Sequence, residues 1–332
     1  MSEASLLSVN NLHTYFKTES GELEAVKGIS YDLKAGRTLG IVGESGSGKS
    51  VSSLSIMGLL AANGRSTADS ILFQTAEQSH RLDQMPESEI RNLRGSQMAM
   101  IFQEPMSSLN PVLSCGFQVA EALRLHLGFS KEAARQQCLE LFAKVQLPRV
   151  EQIYDAYPHQ ISGGQKQRVM IAMAISCEPA LLIADEPTTA LDVTVQKEIL
   201  LLLQDLQKER GMGMIFITHD LGVVAEIADD ILVMYKGEIV ERGSVEQIFA
   251  KPEHPYTQGL LACRPQLSQT LHRLPTIKDF IEESTPQDPK EIPPKVLGDT
   301  LLEVKNLKTW FATKTGFSWK KPEYVKAVDD VS

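Results

Sequence analysis

The sequence predicts an α/β fold: buried strands around a phosphate-binding loop, an antiparallel β subdomain and an α-helical insert. Three observations predict it. The first is Gly43-Glu44-Ser45-Gly46-Ser47-Gly48-Lys49-Ser50, which fits G-x-x-x-x-G-K-[ST]. The second is a series of short apolar runs at 38–42, 98–102, 180–184, 214–218 and 231–235. Runs of that length bounded by polar or turn residues read as strands buried in a core. The third is a change to helical period over Val119 to Gln146, where Ala134, Cys138, Leu141, Phe142 and Val145 fall on one face.

The loop carries the most specific chemistry. A strand, a glycine-rich turn and the helix expected over Val51 to Leu60 aim backbone N–H groups at one point. Gly46 and Gly48 let the backbone approach a phosphate. Lys49 suits the β- and γ-phosphates, and the Ser50 hydroxyl suits Mg²⁺.

Bulk properties narrow the rest. The 332 residues are enough for two domains, and 42% hydrophobic with 23% charged residues is a globular composition. A net charge of −9 argues against a large nucleic-acid footprint, so no nucleic acid is expected as a partner. The four cysteines, Cys115, Cys138, Cys177 and Cys263, form no C-x-x-C pair, which argues against zinc or a disulfide framework and fits a reducing compartment. The first residues show no signal peptide, and no run of about 18 apolar residues could span a membrane, so a membrane role requires a partner.

In chain order, Leu6 to Phe16 and Ala25 to Leu33 read as two strands around a turn at Gly21-Glu22. Phe16 either stacks on a purine or is a strand residue in the core; alone, the second is the better reading. Residues 61–95 are weakly patterned, with a short strand at Ile71-Leu72-Phe73 and a short helix after Pro86. Gln103 follows the strand at 98–102, at a carboxyl end where α/β ligand sites form. The insert, about 104–160, has Ser130 as an N-cap. Ser162-Gly163-Gly164-Gln165 opens another helix: a second anion site or a plain capped helix. The run 180–186 ends in Asp185, suited to Mg²⁺, and Glu186, suited to orienting and deprotonating water. Asp192 follows in a turn and opens a helix to Arg210. His219 ends the next strand, where it could sense a γ-phosphate. Residues 251–265 read as an appended unit and 274–298 as a linker. From Leu301 the sequence repeats Leu6 to Phe16 in most apolar positions, and Ala327-Val328 and Ser332 match Ala25-Val26 and Ser30. The expected organisation is a first domain over 1–250, an extension and linker over 251–298, and the truncated start of a second copy over 299–332.

Taken together these motifs resemble the nucleotide-binding domain of ABC transporters, an ABC-type P-loop NTPase with a RecA-like core, over roughly Leu6 to Arg242. Phe102 to Pro111, Glu186 to Thr194 and His254-Pro255-Tyr256-Thr257 are similar to the ATPases of peptide and nickel importers, tandem glutathione-import ATPases above all. One departure is Ile161, where the family usually has leucine. The resemblance implies ATP and Mg²⁺ as ligands and reverses the reading of Phe16, which becomes the adenine-stacking residue. It implies ATP contacts from 43–50, from Ser162, Gly163, Gly164 and Gln165 and from Asp192. It implies a Mg²⁺ site from Ser50, Gln103 and Asp185, and catalysis by Glu186, His219, Lys49 and Gln103. The implied partners are two membrane permease subunits, an extracytoplasmic substrate-binding protein acting indirectly, and a second nucleotide-binding domain. The implied place is the cytoplasmic face of the bacterial inner membrane. With only Cys263 in the extension, no iron–sulfur centre is expected. A soluble ABC-type ATPase acting on DNA or ribosomes is the alternative, and a non-hydrolysing module is a third reading.

Overall fold

The computed structural model describes residues 5–75, 77–103, 108–189, 191–263, 276–281, 300–312 and 324–332. In chain order the first strands are β1 (Ser5–Thr18), β2 (Gly21–Lys34), β3 (Thr38–Val42), β4 (Gly64–Thr67), β5 (Ser70–Gln74) and β6 (Ser79–Arg81). They are followed by β7 (Met98–Ile101), β8 (Leu181–Asp185), β9 (Gly213–Thr218), β10 (Asp230–Tyr235) and β11 (Glu238–Ser244).

Two sheets divide these strands. One is antiparallel, in the order β2-β1-β5-β6 with β4 also paired to β1. The other runs β11-β10-β3-β9-β8-β7, parallel from β10 to β7 with β11 antiparallel at its edge. Strand alternation sends successive residues of the parallel sheet to opposite faces. Ile41, Leu181, Ile183, Ile215, Ile217, Leu232 and Met234 join a core with Leu7, Leu12, Val26 and Phe73 of the antiparallel sheet. Leu182, Ala184, Met214, Phe216, Ile231 and Val233 join a second core with the helices. A sheet buried on both faces explains its uninterrupted apolar strands.

Several expectations shift. The first turn lies at Glu19-Ser20, one step before Gly21. The helix after the loop spans Lys49–Ile56 and stops short of Leu60, because Gly58 adopts φ 63° and Leu59 N–H donates to Leu54 O at 2.8 Å. That is a left-handed glycine stop after the C-cap Met57. Residues 61–95 hold β4 and β6 as well as β5, and the helix Glu87–Leu93. These edge strands are short and polar, so their sequences carry no apolar period.

Among its described residues the insert holds three α-helices, Cys115–Leu127, Lys131–Lys144 and Val150–Asp155, and a 3-10 turn at Pro158–Gln160. Gly128 at φ 67° breaks the first from the second, and Ser130 Oγ accepts Ala133 N–H to start the second. Its apolar stripe of Ala134, Cys138, Leu141, Phe142 and Val145 is fully or almost fully buried, in the same core as the sheet. The insert's expected first residues, Glu104 to Ser107, lie outside the described residues. The later helices are Gly163–Ile175, Val193–Arg210, Leu221–Ile227, Val245–Ala250 and Pro255–Ala262.

The appended unit is part of this body. Tyr256 is fully buried in the helical-side core, with Leu260, Leu261 and Ile277 packed beside it. The expected linker contains a short helix, Ile277–Ile281, against Gly259, where an added Cβ would meet Ile277 Cα at 3.3 Å. Residues 274, 275 and 282–298 of that linker lie outside the described residues.

A second compact unit carries the repeat. It forms one antiparallel pair, β12 (Leu307–Ala312) and β13 (Tyr324–Val331). Its register copies the head. Leu12↔Ile29, Thr14↔Val26, Tyr15↔Glu24 and Phe16↔Leu23 recur as Leu307↔Val331, Thr309↔Val328, Trp310↔Lys326 and Phe311↔Val325. Asn11 and Asn306 both have φ 52°, and each donates its N–H to the matching serine, Ser30 Oγ at 2.9 Å and Ser332 Oγ at 3.0 Å.

Candidate active site

The site lies beyond the carboxyl ends of β3, β7, β8 and β9, the usual place for ligands in an α/β sheet. Residues 43–48 leave β3 and enter the helix Lys49–Ile56. Gly48, at φ 98°, occupies its N-cap and supplies no side-chain cap, so the first-turn N–H groups stay available to an anion. The glycines serve differently from expectation. A Cβ on Gly43 would lie 2.2 Å from Met234 O, and one on Gly48 would lie 2.6 Å from Ala25 O. Those positions are small because β10 and β2 crowd the loop, whereas Gly46, at φ 81°, faces open space. Glu44, Ser45 and Gly46 form the exposed rim, and Ser47 is buried.

Lys49 is buried and donates from Nζ to Gly43 O at 2.7 Å and Glu44 O at 2.9 Å. Burial lowers its pKa, and the nearby carboxylates of Glu186, Asp185 and Glu44 only partly offset that. Asp185 closes β8, is buried, and accepts Ser50 Oγ–H at 2.9 Å. Burial raises its pKa, against the Ser50 bond and the Lys49 charge.

Glu186 follows at φ 46°, with its N–H given to Ile217 O at 2.9 Å. This left-handed turn costs on the order of 1 kcal/mol and persists because the strand pairing holds it. Its Oε2 accepts Gln103 Nε2–H at 3.1 Å and Thr189 Oγ1–H at 2.9 Å, and its Oε1 lies 3.3 Å from His219 Nδ1. Burial pushes the carboxyl up, but the Thr189 and His219 hydrogen bonds with the His219 and Lys49 charges outweigh it, leaving the pKa below 4.5. Adjacent carboxyls are therefore driven in opposite directions, a pattern that assigns them different tasks.

Lys49, Ser50, Gln103, Asp185, Glu186 and His219 thus form one cluster. The other predicted residues group elsewhere. Ser162 Oγ accepts Gln165 N–H at 3.3 Å while Gln165 Oε1 accepts Ser162 N–H at 2.9 Å, a reciprocal cap on Gly163–Ile175. Asp192 caps the next helix by accepting Val195 N–H at 3.0 Å. An added Cβ on Gly164 would meet Val195 at 3.1 Å, and one on Gly163 nothing, so these two helix starts adjoin. Their polar bonds join no member of the Lys49–Glu186 cluster.

Phe16 and Tyr15 face opposite ways. Tyr15 stacks on His13 and carries the Arg65 guanidinium 4.2 Å over its ring. Thr14, on the other face, lies with Oγ1 2.8 Å from Ser55 Oγ on the loop's helix, and Phe16 shares that side, against Gly64. Two residues were not foreseen as part of the site. Thr189 reaches Glu186 because its N–H returns to Glu186 O at 3.2 Å, closing a tight turn. Tyr256 accepts Glu44 N–H at 2.8 Å from more than two hundred residues away; its motif was visible, its contact was not.

Residues 26–189 match the family described as "ABC transporter", and residues 240–290 match "Oligopeptide/dipeptide transporter, C-terminal region". The chain is 50% identical to the glutathione import ATP-binding protein GsiA of Escherichia coli O6:H1, over 98% of this chain and 54% of that protein. It is 49% identical to the protein of the same name from Shigella boydii serotype 4, with the same coverage. The chain spans about half the length of these curated relatives. Among solved structures it is similar to the dimeric MJ0796, a bacterial ABC transporter cassette, with TM-score 0.64 and 27% identity over 72% of this chain and 98% of that one. A second structure of that cassette, a dimeric post-hydrolysis state bound to ADP and Pi, has TM-score 0.62 with the same identity and coverage. The chain therefore contains an ABC transporter ATP-binding domain followed by the C-terminal region of oligopeptide/dipeptide transporters.

Proposed function

We propose that the chain binds and hydrolyses ATP to power uptake of glutathione or other short peptides through separate permease subunits. The observation that carries this reading is the Glu186 carboxylate, held by Gln103, Thr189 and His219 one residue from Asp185, which bonds Ser50 beside Lys49. The uncapped helix start and the rim amides receive the phosphates. Lys49 leaves its own loop carbonyls for the β- and γ-phosphates. The hydroxyl of Ser50, the carboxylate of Asp185 and the amide oxygen of Gln103 are hard oxygen donors that fit Mg²⁺. Bound there, the ion would neutralise phosphate charge. Phe16 stacks on the adenine.

Glu186, ionised at neutral pH, orients a water and takes its proton. The water oxygen bonds to the γ-phosphorus as the bond to the bridging oxygen of ADP breaks, and ADP and phosphate leave. His219 donates toward the γ-phosphate and fixes Glu186 from its other side. Ser162, Gly163, Gly164, Gln165 and Asp192, grouped away from this cluster, serve the ATP of a second cassette. The dimeric relatives support that arrangement. Among the described residues no helix is long and apolar enough to cross a membrane. In this reading the partners are two permease subunits at the cytoplasmic face of the inner membrane, fed by a substrate-binding protein outside, as the oligopeptide/dipeptide transporter region suggests.

The test is Glu186→Gln. Nucleotide affinity stays within a few-fold, and steady-state hydrolysis falls by about 100-fold or more, the size of a lost general base. Hydrolysis near the wild-type rate removes Glu186 from this role. The substrate class is read separately, as stimulation of hydrolysis by glutathione in vesicles carrying the permease and binding protein.

A further inference from the structure

Each residue of His254-Pro255-Tyr256 has a physical reason. His254 Nδ1 accepts Tyr256 N–H at 3.1 Å and so caps the helix Pro255–Ala262. Pro255 stands at its first position, where a missing N–H leaves no intrahelical bond unmade. Glu241 of β11 anchors the approach by accepting Glu253 N–H at 2.7 Å and His254 N–H at 3.0 Å. Tyr256 is then driven into the core, 0% exposed, its ring 4.3 Å from that of Tyr235.

What the buried phenol touches is the phosphate-binding loop. Its oxygen accepts the N–H of Glu44 at 2.8 Å. That N–H belongs to the peptide joining Gly43 to Glu44, and the carbonyl of the same peptide, Gly43 O, holds Lys49 Nζ at 2.7 Å. One peptide plane is pinned at both ends, by Tyr256 and by the lysine. A second tie runs from the same region, where Gly237 N–H donates to Ser47 O at 3.1 Å. When Lys49 turns to a phosphate, the carbonyl end is released and Tyr256 keeps the plane in place.

We propose that Tyr256 is a positioning residue for nucleotide binding: it fixes the Gly43–Glu44 peptide and couples the C-terminal extension to occupancy of the loop. The coupling is reciprocal, because a contact that favours the loaded loop is itself favoured by loading. The proposal rests on the reading of 43–50 as a nucleotide site. The extension is therefore a built-in brace of the loop as well as an appended structure.

The test uses the full chain with Tyr256→Phe, which keeps the ring and removes only the acceptor. Tyr235→Phe is the control, since it keeps the same ring pair. ATP affinity, KM, kcat and amide exchange with and without ATP are measured. Tyr256→Phe is expected to weaken ATP affinity by about three- to tenfold, the range of one buried hydrogen bond, and to raise KM by a similar factor. Its kcat stays within about twofold, since the Glu186 contacts are intact, and Tyr235→Phe stays within about twofold of wild type throughout. In the wild type, ATP slows exchange over 255–262. Affinity in Tyr256→Phe equal to wild type, or wild-type exchange over 255–262 unmoved by ATP, overturns the proposal. Should Tyr256→Phe fail to fold, the wild-type exchange measurement decides alone. A wild-type chain that binds no ATP overturns the nucleotide reading together with the proposal, whereas wild-type binding that Tyr256→Phe leaves untouched removes the proposal only.

Discussion

Phe16 and Tyr15 are adjacent aromatics on β1 whose roles only their facing separates. Tyr15 is occupied by His13 and Arg65, while Phe16 shares the Thr14 side, toward the loop's helix. Phe16→Ala is expected to weaken ATP binding by about 1–3 kcal/mol, and Tyr15→Ala to leave it unchanged. The reverse result in a nucleotide titration would move the stacking role one residue. At Asp185 the question is pH. Burial raises its folded pKa above 3.8, so its contribution to stability is full below that value and is lost as pH rises through the raised one. Asp185→Asn is therefore expected to stabilise the ligand-free chain at pH 7, with the gain fading in acid, and to abolish hydrolysis. Glu186 has the opposite sign. Its lowered pKa gives stability present above 4.5 and lost as pH falls through the folded value, so Glu186→Gln costs stability at neutral pH. Urea midpoints at acid and neutral pH test both; Asp185→Asn less stable than wild type at pH 7 would contradict the burial argument.

At the scale of the element, the loop shows how glycines of one motif divide their work. Gly46 needs its backbone angle alone, because an added Cβ meets nothing. Gly48 needs its angle and the space occupied by Ala25 O. Gly46→Ala is expected to cost about 1–2 kcal/mol and keep the fold, the cost of a left-handed alanine. Gly48→Ala adds a backbone clash to the same cost and should lower the melting temperature well beyond that of Gly46→Ala. Equal melting temperatures would show that β2 gives way. The same logic explains element boundaries. The motif made a helix certain after Gly48, but its end depended on Gly58 closing a left-handed turn, which a continuous apolar pattern through Leu60 obscured. In the insert the opposite held: Gly128 and Ser130 are plain stop and start signals, and both act where they stand.

At the scale of the whole molecule the chain divides into two compact units. The second, as described, is a single strand pair whose Trp310 and Phe311 are exposed, and an isolated pair of this size is marginal in water. It repeats the register of β1 and β2, down to the asparagine in left-handed conformation. We propose that Gly298 to Ser332 adds nothing to the nucleotide site. Deleting it is expected to leave ATP affinity unchanged and to leave specific activity rising with protein concentration, as two copies meet head to tail. Lost affinity would place the segment in the site. Specific activity independent of concentration in a chain shown to stay monomeric would rule out the shared sandwich.

The sequence by itself determined the loop, the buried strands, the apolar stripe of the insert and the repeated head. Each is local: a spacing of residue types, a period of two or 3.6, or one segment set against another. It also determined which carboxylates, histidine and glutamine stand at strand ends. The tertiary structure decided what those ends share. Thr189 and Gln103 meet on one oxygen of Glu186 only because β7 and β8 are neighbours and the chain turns sharply at 186. Gly43 and Gly48 are required by Met234 and Ala25, residues on other strands. Tyr256 reaches Glu44 across the fold. The opposed shifts of Asp185, where burial prevails, and Glu186, where the Thr189 and His219 hydrogen bonds and the nearby charges outweigh burial, depend on side chains that other strands and loops bring to this point.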